Sequence, residues 1–372
     1  MNLTLHLTNK CNLKCKYCFV PHGIESMTAD IAMKAVDFAI RQSEGQPVGL
    51  LFYGGEPLLE RQLIYHIVNQ CSKIKQNTGQ VFYYKMTSNC ILLDEEFLQF
   101  AEQHNITIGM SCDGPAQDDC RLFPNGKGSF SILEEKIPLL LKYQPYAVGM
   151  SVIDSTTIHK AAEVVQYLFD CGFRYITQSL NYCRTATWTE DHLEVMEKQF
   201  WQMAEMYIKW TRAEEKFYLA PIDMKIISHL KGENYNPDRR KMALNQLSVA
   251  PSGRIYSASR FVDDSSLAIG DVYKGLDLKK QQEIYDKGSD LAEPCSRCKL
   301  SGRCNYAYDS LRKGEDGALF TDIAPLQCVN EQMLAPIADY VAGVLYKEKN
   351  PMFLHKHYNE FYPIMSLLED RG

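Results

Sequence analysis

Three cysteines near the start of the chain have a spacing that suits iron–sulfur chemistry. Cys11, Cys15 and Cys18 lie in the segment LTNKCNLKCKYCFV and have the spacing C-x3-C-x2-C. Clusters of the four-iron type are normally held by four cysteine thiolates. Three thiolates leave one iron without a protein ligand, and an open metal position is where a bound molecule can react. The triplet therefore predicts a catalytic cluster, with a zinc knuckle completed by His22 as the alternative.

Three further segments with reactive or ligand-binding side chains each follow a stretch of strand-forming residues. They are Gly54-Gly55-Glu56-Pro57, Thr87-Ser88-Asn89-Cys90 and Ser111-Cys112-Asp113-Gly114-Pro115, with Arg121 after the last. Paired glycines let a backbone approach a ligand closely. A carboxylate beside them can bind an ammonium group, and an Asp can bind ribose hydroxyls. These segments predict a site where the backbone closely approaches a ligand and a carboxylate can bind an ammonium group.

The elements that must position these segments alternate between strands and helices. Strands are predicted at 3–7, 48–53, 81–86, 106–110, 147–152 and 175–180, and helices at 30–42, 60–75, 94–104 and 156–171. Such alternation predicts an α/β fold with a parallel sheet and right-handed crossovers. Six repeats suit an open, partial (β/α)6 TIM-like barrel. Reacting groups collect at the carboxyl ends of barrel strands, so the segments after the strands should share one rim.

These motifs resemble those of the radical S-adenosylmethionine (radical SAM) enzymes. The triplet, GGEP, TSN and SxDGP stretches occur in that family's order within residues 1–180. The resemblance implies that the open iron binds SAM and that a 5′-deoxyadenosyl radical removes hydrogen from a substrate. It also implies a set of SAM-contacting residues: Tyr17, Gly54, Gly55, Glu56, Pro57, Ser88, Asn89, Ser111, Asp113, Arg121 and Leu180.

Within that resemblance, some residues have an expected partner on SAM. Glu56 would bind the methionyl amino group, Arg121 the carboxylate, and Tyr17 would lie near the adenine. Leu180 matches an apolar position near the adenine, although core packing explains this residue equally well. Two catalytic candidates, Cys90 and Cys112, occupy motif positions that usually lack cysteine. Each is either a hydrogen-atom donor to the substrate radical or a small packing residue.

A second cysteine group lies in the last third of the chain. Cys295, Cys298 and Cys304 have the spacing C-x2-C-x5-C, and Cys328 follows them. The group resembles the C-terminal half of a SPASM domain, which implies a closed auxiliary 4Fe–4S cluster on these four thiolates. A tetrahedral zinc site is the alternative. The expected cofactors are therefore SAM and two 4Fe–4S clusters, one that binds SAM and one that is closed.

The chain departs from the full SPASM pattern at the inner auxiliary cluster. The family's G-x-I-Y-P-C-x-x-F stretch reads GRIYSASRF here, and Tyr308 stands where a second cysteine is expected. We therefore expect no inner cluster with the usual ligands. Anaerobic sulfatase-maturating enzymes, which the chain also resembles, carry an Asp general base where this chain has Ser259, a poor base. This difference counts against sulfatase maturation.

The expected organisation has four parts. They are a radical SAM partial barrel at 1–185, a helical linker at 186–239, a reduced SPASM-type domain with one auxiliary cluster at 240–330, and a C-terminal helix with an aromatic tail at 331–372. The chain starts on the first barrel strand, so we expect no leader-binding domain before it.

Composition narrows the function classes. A net charge of −6 over 372 residues disfavours nucleic acid as the main partner. We expect a cytoplasmic protein without membrane contact, because the N-terminus lacks a signal-peptide plan and no apolar run approaches the length of a membrane helix. In that compartment, 13 cysteines indicate metal binding or catalysis rather than disulfides.

The sequence thus predicts a radical SAM enzyme that modifies a ribosomally made peptide. The product would be a thioether, a C–C crosslink or an epimerised residue. Expected partners are the precursor peptide, an electron donor such as flavodoxin or ferredoxin, and a separate leader-binding protein. Two alternatives stay open: an anaerobic sulfatase-maturating type of enzyme that forms formylglycine, and a non-catalytic iron–sulfur redox sensor, which would have no use for the GGEP and SxDGP motifs.

Overall fold

Strands and helices alternate through the first half of the chain. The computed structural model describes residues 1–182, 186–232, 244–262, 264–289, 293–304, 311–313, 319–321 and 325–371. Its strands are β1 Asn2–His6, β2 Lys14–Cys15, β3 Val48–Tyr53, β4 Phe82–Ser88, β5 Ile106–Ser111, β6 Arg121–Leu122, β7 Val148–Ile153, β8 Tyr175–Leu180, β9 Tyr218–Leu219, β10 Gln246–Val249, β11 Arg254–Tyr256, β12 Gly270–Asp271, β13 Gly275–Leu276, β14 Leu311–Lys313 and β15 Leu319–Thr321. Its α-helices are α1 Ala29–Ser43, α2 Arg61–Thr78, α3 Glu95–Gln103, α4 Gln117–Cys120, α5 Phe130–Tyr143, α6 Ala161–Asp170, α7 Glu190–Arg212, α8 Ala220–Lys231, α9 Leu278–Ser289, α10 Glu293–Ser296, α11 Pro325–Lys347, α12 Pro351–Tyr358 and α13 Tyr362–Arg371.

The six predicted strands are all present, as β1, β3, β4, β5, β7 and β8. Their alternating pattern explains why the sequence folds this way. In β3, Val48, Leu50 and Phe52 are buried on one face, and the residues between them are partly exposed on the other. Helices begin where capping side chains permit: Thr28 caps α1 and Asp94 caps α3. The predicted alternation of strands and helices is confirmed.

Contacts divide the chain into two compact units. Unit 1 comprises residues 1–111, 122–127 and 240–289. Its strands are hydrogen-bonded in the order β13-β12-β11-β10-β1-β3-β4-β5. The pairs from β10 to β5 are parallel, and those from β10 to β13 are antiparallel. The core of this unit lies between the sheet and α1 and α2, where Ala32, Val36, Ile64 and Ile67 are fully buried.

The pairing of β10 with β1 joins distant parts of the sequence. Asn2 pairs with Gln246 and Leu5 pairs with Val249 in a parallel register. On β10, the hydroxyl oxygen of Ser248 lies 3.0 Å from that of Ser259. Residues that follow the long helical segment therefore extend the same sheet as the first strand.

Unit 2 comprises residues 112–121, 128–239 and 290–372. Its parallel strands run in the order β7-β8-β9, and α11 packs against α7 and α8. The helical stretch expected from Thr189 to His229 is two helices, since β9 interrupts it and Pro221 lies in the first turn of α8. None of the described helices combines the length and apolar composition that a bilayer crossing needs. The four-part division expected from the sequence stays a prediction.

Candidate active site

The cysteine triplet of unit 1 lies in the loop after β1. Cys11 and Cys15 are half-buried and Cys18 is exposed. The backbone N–H of Cys18 donates to the carbonyl of Cys15 at 3.2 Å. Cys11 Sγ accepts from the Leu13 N–H at 3.4 Å and from Asn89 Nδ2 at 3.8 Å. N–H donors directed at a thiolate are one way in which proteins tune iron–sulfur clusters, so this donor set fits such a group.

The pKa of the Cys11 thiol is raised by burial and by negatively charged neighbours. Burial raises its pKa to about 12, and the negative groups of Glu56, Cys15 and Cys18 act in the same direction. Among the described residues, no three His, Cys, Asp or Glu side chains are grouped as a binding site for a metal ion. In a four-iron cubane each thiolate binds a different iron, so the three thiolates do not need to converge on a single metal ion.

The two glycines of GGEP seat this loop against β3. Gly55 N–H donates to Thr8 O at 2.7 Å, and Glu56 N–H donates to Lys10 O at 2.9 Å. An added Cβ would lie 2.5 Å from Thr8 O at Gly54 and 2.1 Å from Lys10 O at Gly55. The backbone at Gly54 and Gly55 therefore has to approach another group closely, as the motif suggested. In this structure that group is the backbone of the segment that leads into the cysteine loop, at Thr8 and Lys10.

Glu56 is a buried carboxylate surrounded by donors. Oε1 accepts from Ser88 Oγ at 2.7 Å and from Leu58 N–H at 2.9 Å, and Oε2 accepts from Asn89 N–H at 2.8 Å. Burial raises the pKa of Glu56 to about 7, while these hydrogen bonds oppose the shift. No charge on a described Lys, Arg or His contributes to that shift. A buried carboxylate without a cation is costly, so this arrangement suits a cationic ligand.

The TSN segment connects Glu56 to the cysteine loop. Asn89 Nδ2 donates to Asn12 Oδ1 at 2.8 Å, in addition to its contact with Cys11 Sγ. Cys90 has a φ of 58° and is fully buried. That left-handed conformation explains why glycine is usual there. The Cys90 thiol lies 3.7 Å from the carbonyl oxygen of Ser88.

The SxDGP segment and Arg121 form an ion pair within unit 2. Arg121 Nε lies 2.9 Å from Asp113 Oδ2, and Nη2 lies 3.2 Å from Oδ1. Asp113 Oδ1 also accepts from Val152 N–H at 2.9 Å. Both side chains are buried. Arg121 was expected to bind the SAM carboxylate; its guanidinium is held by Asp113, and the SAM contact stays a prediction.

Other predicted site residues differ in setting. Ser111 ends β5 and is half-buried, while Tyr17 and Leu180 are buried. Cys112 is buried and interacts electrostatically with Cys171 and Tyr167 of the α6 region. Burial raises the pKa of its thiol to about 12. This position agrees with the packing alternative for Cys112, and its role as a hydrogen donor stays a prediction.

The second cysteine group lies in unit 2. Cys295, Cys298, Cys304 and Cys328 are all half-buried. Local turns bring Cys298 N–H to Cys295 O and Cys304 N–H to Leu300 O. Gln332 Nε2 donates to Cys328 Sγ at 3.2 Å. Tyr308, which marks one departure from the SPASM pattern, lies outside the described residues.

One buried polar residue was missed by the sequence reasoning. His6 lies in β1, and neither of its ring nitrogens has a hydrogen-bond partner among the described residues. Burial lowers its pKa to about 4. The ring packs edge-on against Tyr53, with centroids 5.1 Å apart. A polar residue inside the apolar run LTLHL was the only available signal.

Sequence comparison places the chain among known proteins. Residues 5–168 match the radical SAM superfamily. An uncharacterized protein of Methanocaldococcus jannaschii is 29% identical over 182 residues, which cover 48% of this chain and 62% of that relative, less than two thirds of its length. A cysteine-type anaerobic sulfatase-maturating enzyme of Clostridium perfringens is 21% identical over 335 residues, covering 81% of this chain and 87% of the relative.

Solved structures share the fold. Native anSMEcpe, solved with bound AdoMet and the Cp18Cys peptide, has a TM-score of 0.73 at 19% identity, and the match covers 92% of this chain and 100% of its own. Streptococcus suis SuiB bound to its precursor peptide SuiA has a TM-score of 0.60 at 14% identity and covers 87% of this chain and 75% of its own. The predicted fold class, a radical SAM partial barrel followed by a further domain, is confirmed. Residues 5–168 of the chain thus match the radical SAM superfamily, and the chain as a whole is similar in sequence to anaerobic sulfatase-maturating enzymes and in fold to anSMEcpe.

Proposed function

We propose that the enzyme modifies a ribosomally made precursor peptide by removing an unactivated hydrogen. Two proteins that share its fold were solved with peptides bound, anSMEcpe and SuiB, which supports a peptide substrate. The product would be a thioether, a C–C crosslink or an inverted stereocentre. The observation that carries the choice over sulfatase maturation is Ser259, which replaces an acidic base and is hydrogen-bonded to Ser248.

The residues of unit 1 would bind the radical-generating cofactors. Cys11, Cys15 and Cys18 would hold a 4Fe–4S cluster, and Glu56 would accept the ammonium group of SAM. When bound, these cofactors supply a 5′-deoxyadenosyl radical. Glu56 is already fixed by three donors, so it would bind the ammonium group without rearrangement. Asn89 would donate to the Cys11 sulfur and orient the loop.

Unit 2 would contribute an auxiliary cluster. We place a closed 4Fe–4S cluster on Cys295, Cys298, Cys304 and Cys328, which would exchange electrons with flavodoxin or ferredoxin. Closed coordination suits electron transfer rather than substrate binding. A separate protein would present the leader of the peptide. These assignments, the four-part division of the chain and a cytoplasmic location are part of the proposal.

Sulfatase maturation is the second candidate. The similarity to anSMEcpe covers 92% of this chain and is greater than the similarity to SuiB. A serine hydroxyl is a poor base, because it is neutral near pH 7 and accepts a proton far more weakly than a carboxylate does. If this chain formed formylglycine, another group would have to accept the substrate proton.

A reaction with two peptides tests the proposal. The first is a candidate precursor peptide, taken from any short reading frame that adjoins the gene, and the second is a cysteine-containing sulfatase peptide. Each is incubated in D2O with reduced enzyme and SAM. We expect the first peptide alone to change: loss of two hydrogen atoms indicates a crosslink, and deuterium uptake without a new linkage indicates epimerisation. An aldehyde trapped by hydrazine on the sulfatase peptide would instead support the second candidate.

A further inference from the structure

The second cysteine group is divided between two segments that α8 connects. Cys295 lies in the short helix α10, Cys298 and Cys304 lie in the loop that follows it, and Cys328 lies in the first turn of α11. These segments are separated in sequence, so their thiols can serve one cluster only if another element fixes the distance between them. Lys225 of α8 contacts both segments.

Lys225 is a buried cation with one partner on each side. Its Nζ lies 2.5 Å from Glu331 Oε2, one helical turn after Cys328. The same Nζ donates at 3.5 Å to the carbonyl oxygen of Arg303, the residue before Cys304. The side chains of Lys225 and Glu331 are 3% and 8% exposed. Removal of one charge from such a buried ion pair is strongly destabilising.

Arg303 connects the loop back to both helices. Its guanidinium donates to the two carboxylate oxygens of Asp339 in α11, at 2.9 and 2.5 Å. It also lies 3.4 Å from Lys225 O and 3.4 Å from Ser228 Oγ in α8. A two-pronged Arg–carboxylate pair fixes orientation as well as distance. The loop is thereby bound to α8 and α11 at the residue beside Cys304.

We infer that Lys225 and Arg303 are positioning residues for the auxiliary cluster and that they set the separation of Cys304 and Cys328. The inference rests on the proposed auxiliary cluster. The four thiolates must be positioned so that each can bind one iron of the same cubane. Displacement of one ligand by about 1 Å is enough to weaken a metal site. Charges and hydrogen bonds near a cluster also set its reduction potential. Both residues act through Glu331, Asp339 and the backbone of the loop.

The test uses the full chain with Cys11, Cys15 and Cys18 changed to Ala, so that only the second group can bind iron. Arg303→Gln, Arg303→Lys and Lys225→Met are made in this parent and reconstituted anaerobically with iron and sulfide. Arg212→Gln is the matched control, because it breaks an ion pair to Glu348, which follows the last residue of α11 at the opposite end of that helix from Cys328. Iron content, the EPR spectrum and the midpoint potential are measured.

We expect about four irons per chain in the parent and the control. Arg303→Gln and Lys225→Met should lose at least about half of that iron, and the cluster that remains should have a shifted EPR spectrum and potential. Arg303→Lys should retain most of the iron, since one charged hydrogen bond can still form, but its midpoint potential should be shifted, because the two-pronged pair with Asp339 is lost.

Parent-like iron and potential in Arg303→Gln and Lys225→Met would overturn the inference. If Arg303→Gln unfolds, the potential of the more conservative Arg303→Lys decides, and a parent value contradicts the inference. A parent without iron refutes the auxiliary cluster and the inference together. Cleavage of SAM by the unmodified chain, measured separately, shows whether the radical-generating site is intact in that case.

Discussion

The backbone N–H of Asn89 donates to Oε2 of Glu56 at 2.8 Å, although the two residues are 33 positions apart in sequence. The side chain of the same Asn89 lies 3.8 Å from Cys11 Sγ. One residue thus connects the carboxylate proposed to bind SAM with the loop proposed to bind the cluster. In the proposed site SAM would contact both, so this connection would fix the distance over which SAM is held.

Glu56→Gln should weaken SAM binding by about 10- to 100-fold, since the charge-assisted bond to the ammonium group is lost. Iron content should be unchanged, because Glu56 is not a proposed iron ligand. Equilibrium dialysis of SAM with reconstituted enzyme measures the change. Glu60→Gln is the control: Glu60 lies on the same turn but accepts from Ser26 and is partly exposed. Equal SAM affinity in the Glu56 variant and the control would contradict the assignment.

Gly55→Ala should separate the GGEP turn from the cysteine loop, because its Cβ would lie 2.1 Å from Lys10 O. Overpacking against a backbone atom should cost about 2 kcal/mol or more of unfolding free energy. It should also lower the iron bound by the triplet. Urea denaturation and iron analysis are the measurements. Gly343→Ala in α11, where an added Cβ meets no atom within 4 Å, should instead stabilise the chain by up to about 1 kcal/mol.

Acidification should destabilise unit 2 through His357. Burial lowers the pKa of His357 from 6.5 to about 4; Lys356 acts in the same direction and Asp223 opposes it. The unfolded chain therefore takes up a proton near pH 6.5, whereas the folded chain resists it until about pH 4. The contribution of His357 is complete above pH 6.5 and is lost between pH 6.5 and 4, by up to about 3 kcal/mol.

His357→Gln should make that pH dependence shallower. The variant also loses the contact with the Tyr207 hydroxyl at 2.9 Å, so it should be less stable than the parent at pH 8. Urea denaturation from pH 8 to 4.5 gives both slopes. His355→Gln, at an exposed position on the same helix, should retain the parent slope. A His357 variant with the parent slope would show that this residue does not carry the effect.

Ser259→Ala should change turnover of the precursor peptide by less than about threefold. A general base contributes about 100-fold or more, so a small effect separates a spectator hydroxyl from a catalytic one. Initial rates at saturating SAM are the measurement. Ser266→Ala, at a partly exposed turn that Asp264 caps, controls for loss of a hydroxyl. A loss beyond about 100-fold at Ser259 alone would make it part of the reaction.

The sequence was sufficient for the six strands β1, β3, β4, β5, β7 and β8, because their signals are local. The β-rich run at 48–53 gave β3 its correct bounds, and Pro221 was an available signal for the start of α8 that the prediction did not use. The pairing of strands that are distant in sequence has no such local signal. The parallel pairing of Gln246 with Asn2 depends on the packing of the whole sheet. A local pattern does not specify which remote strand a sheet edge accepts.

In the candidate site, too, local features could be predicted from the sequence, whereas contacts between distant residues could not. Motif spacing predicted Glu56 and the cysteine triplet as site residues, and the strand ends explain why Glu56 lies near Cys11. The reason for Gly55 became clear only with the Lys10 backbone opposite it. The ion pair of Arg121 with Asp113 could not be read from spacing either, because a charged side chain pairs with whatever the fold brings near.

Cleavage of SAM tests the central claim most directly. Anaerobically reconstituted enzyme is incubated with SAM and dithionite, and 5′-deoxyadenosine is quantified. We predict 5′-deoxyadenosine from the unmodified chain and none from Cys15→Ala, which removes one ligand of the triplet. Cys71→Ala, a buried cysteine outside both groups, should retain the activity. Iron-loaded, unmodified enzyme that forms no 5′-deoxyadenosine, or Cys15→Ala that forms as much as the parent, would contradict the account.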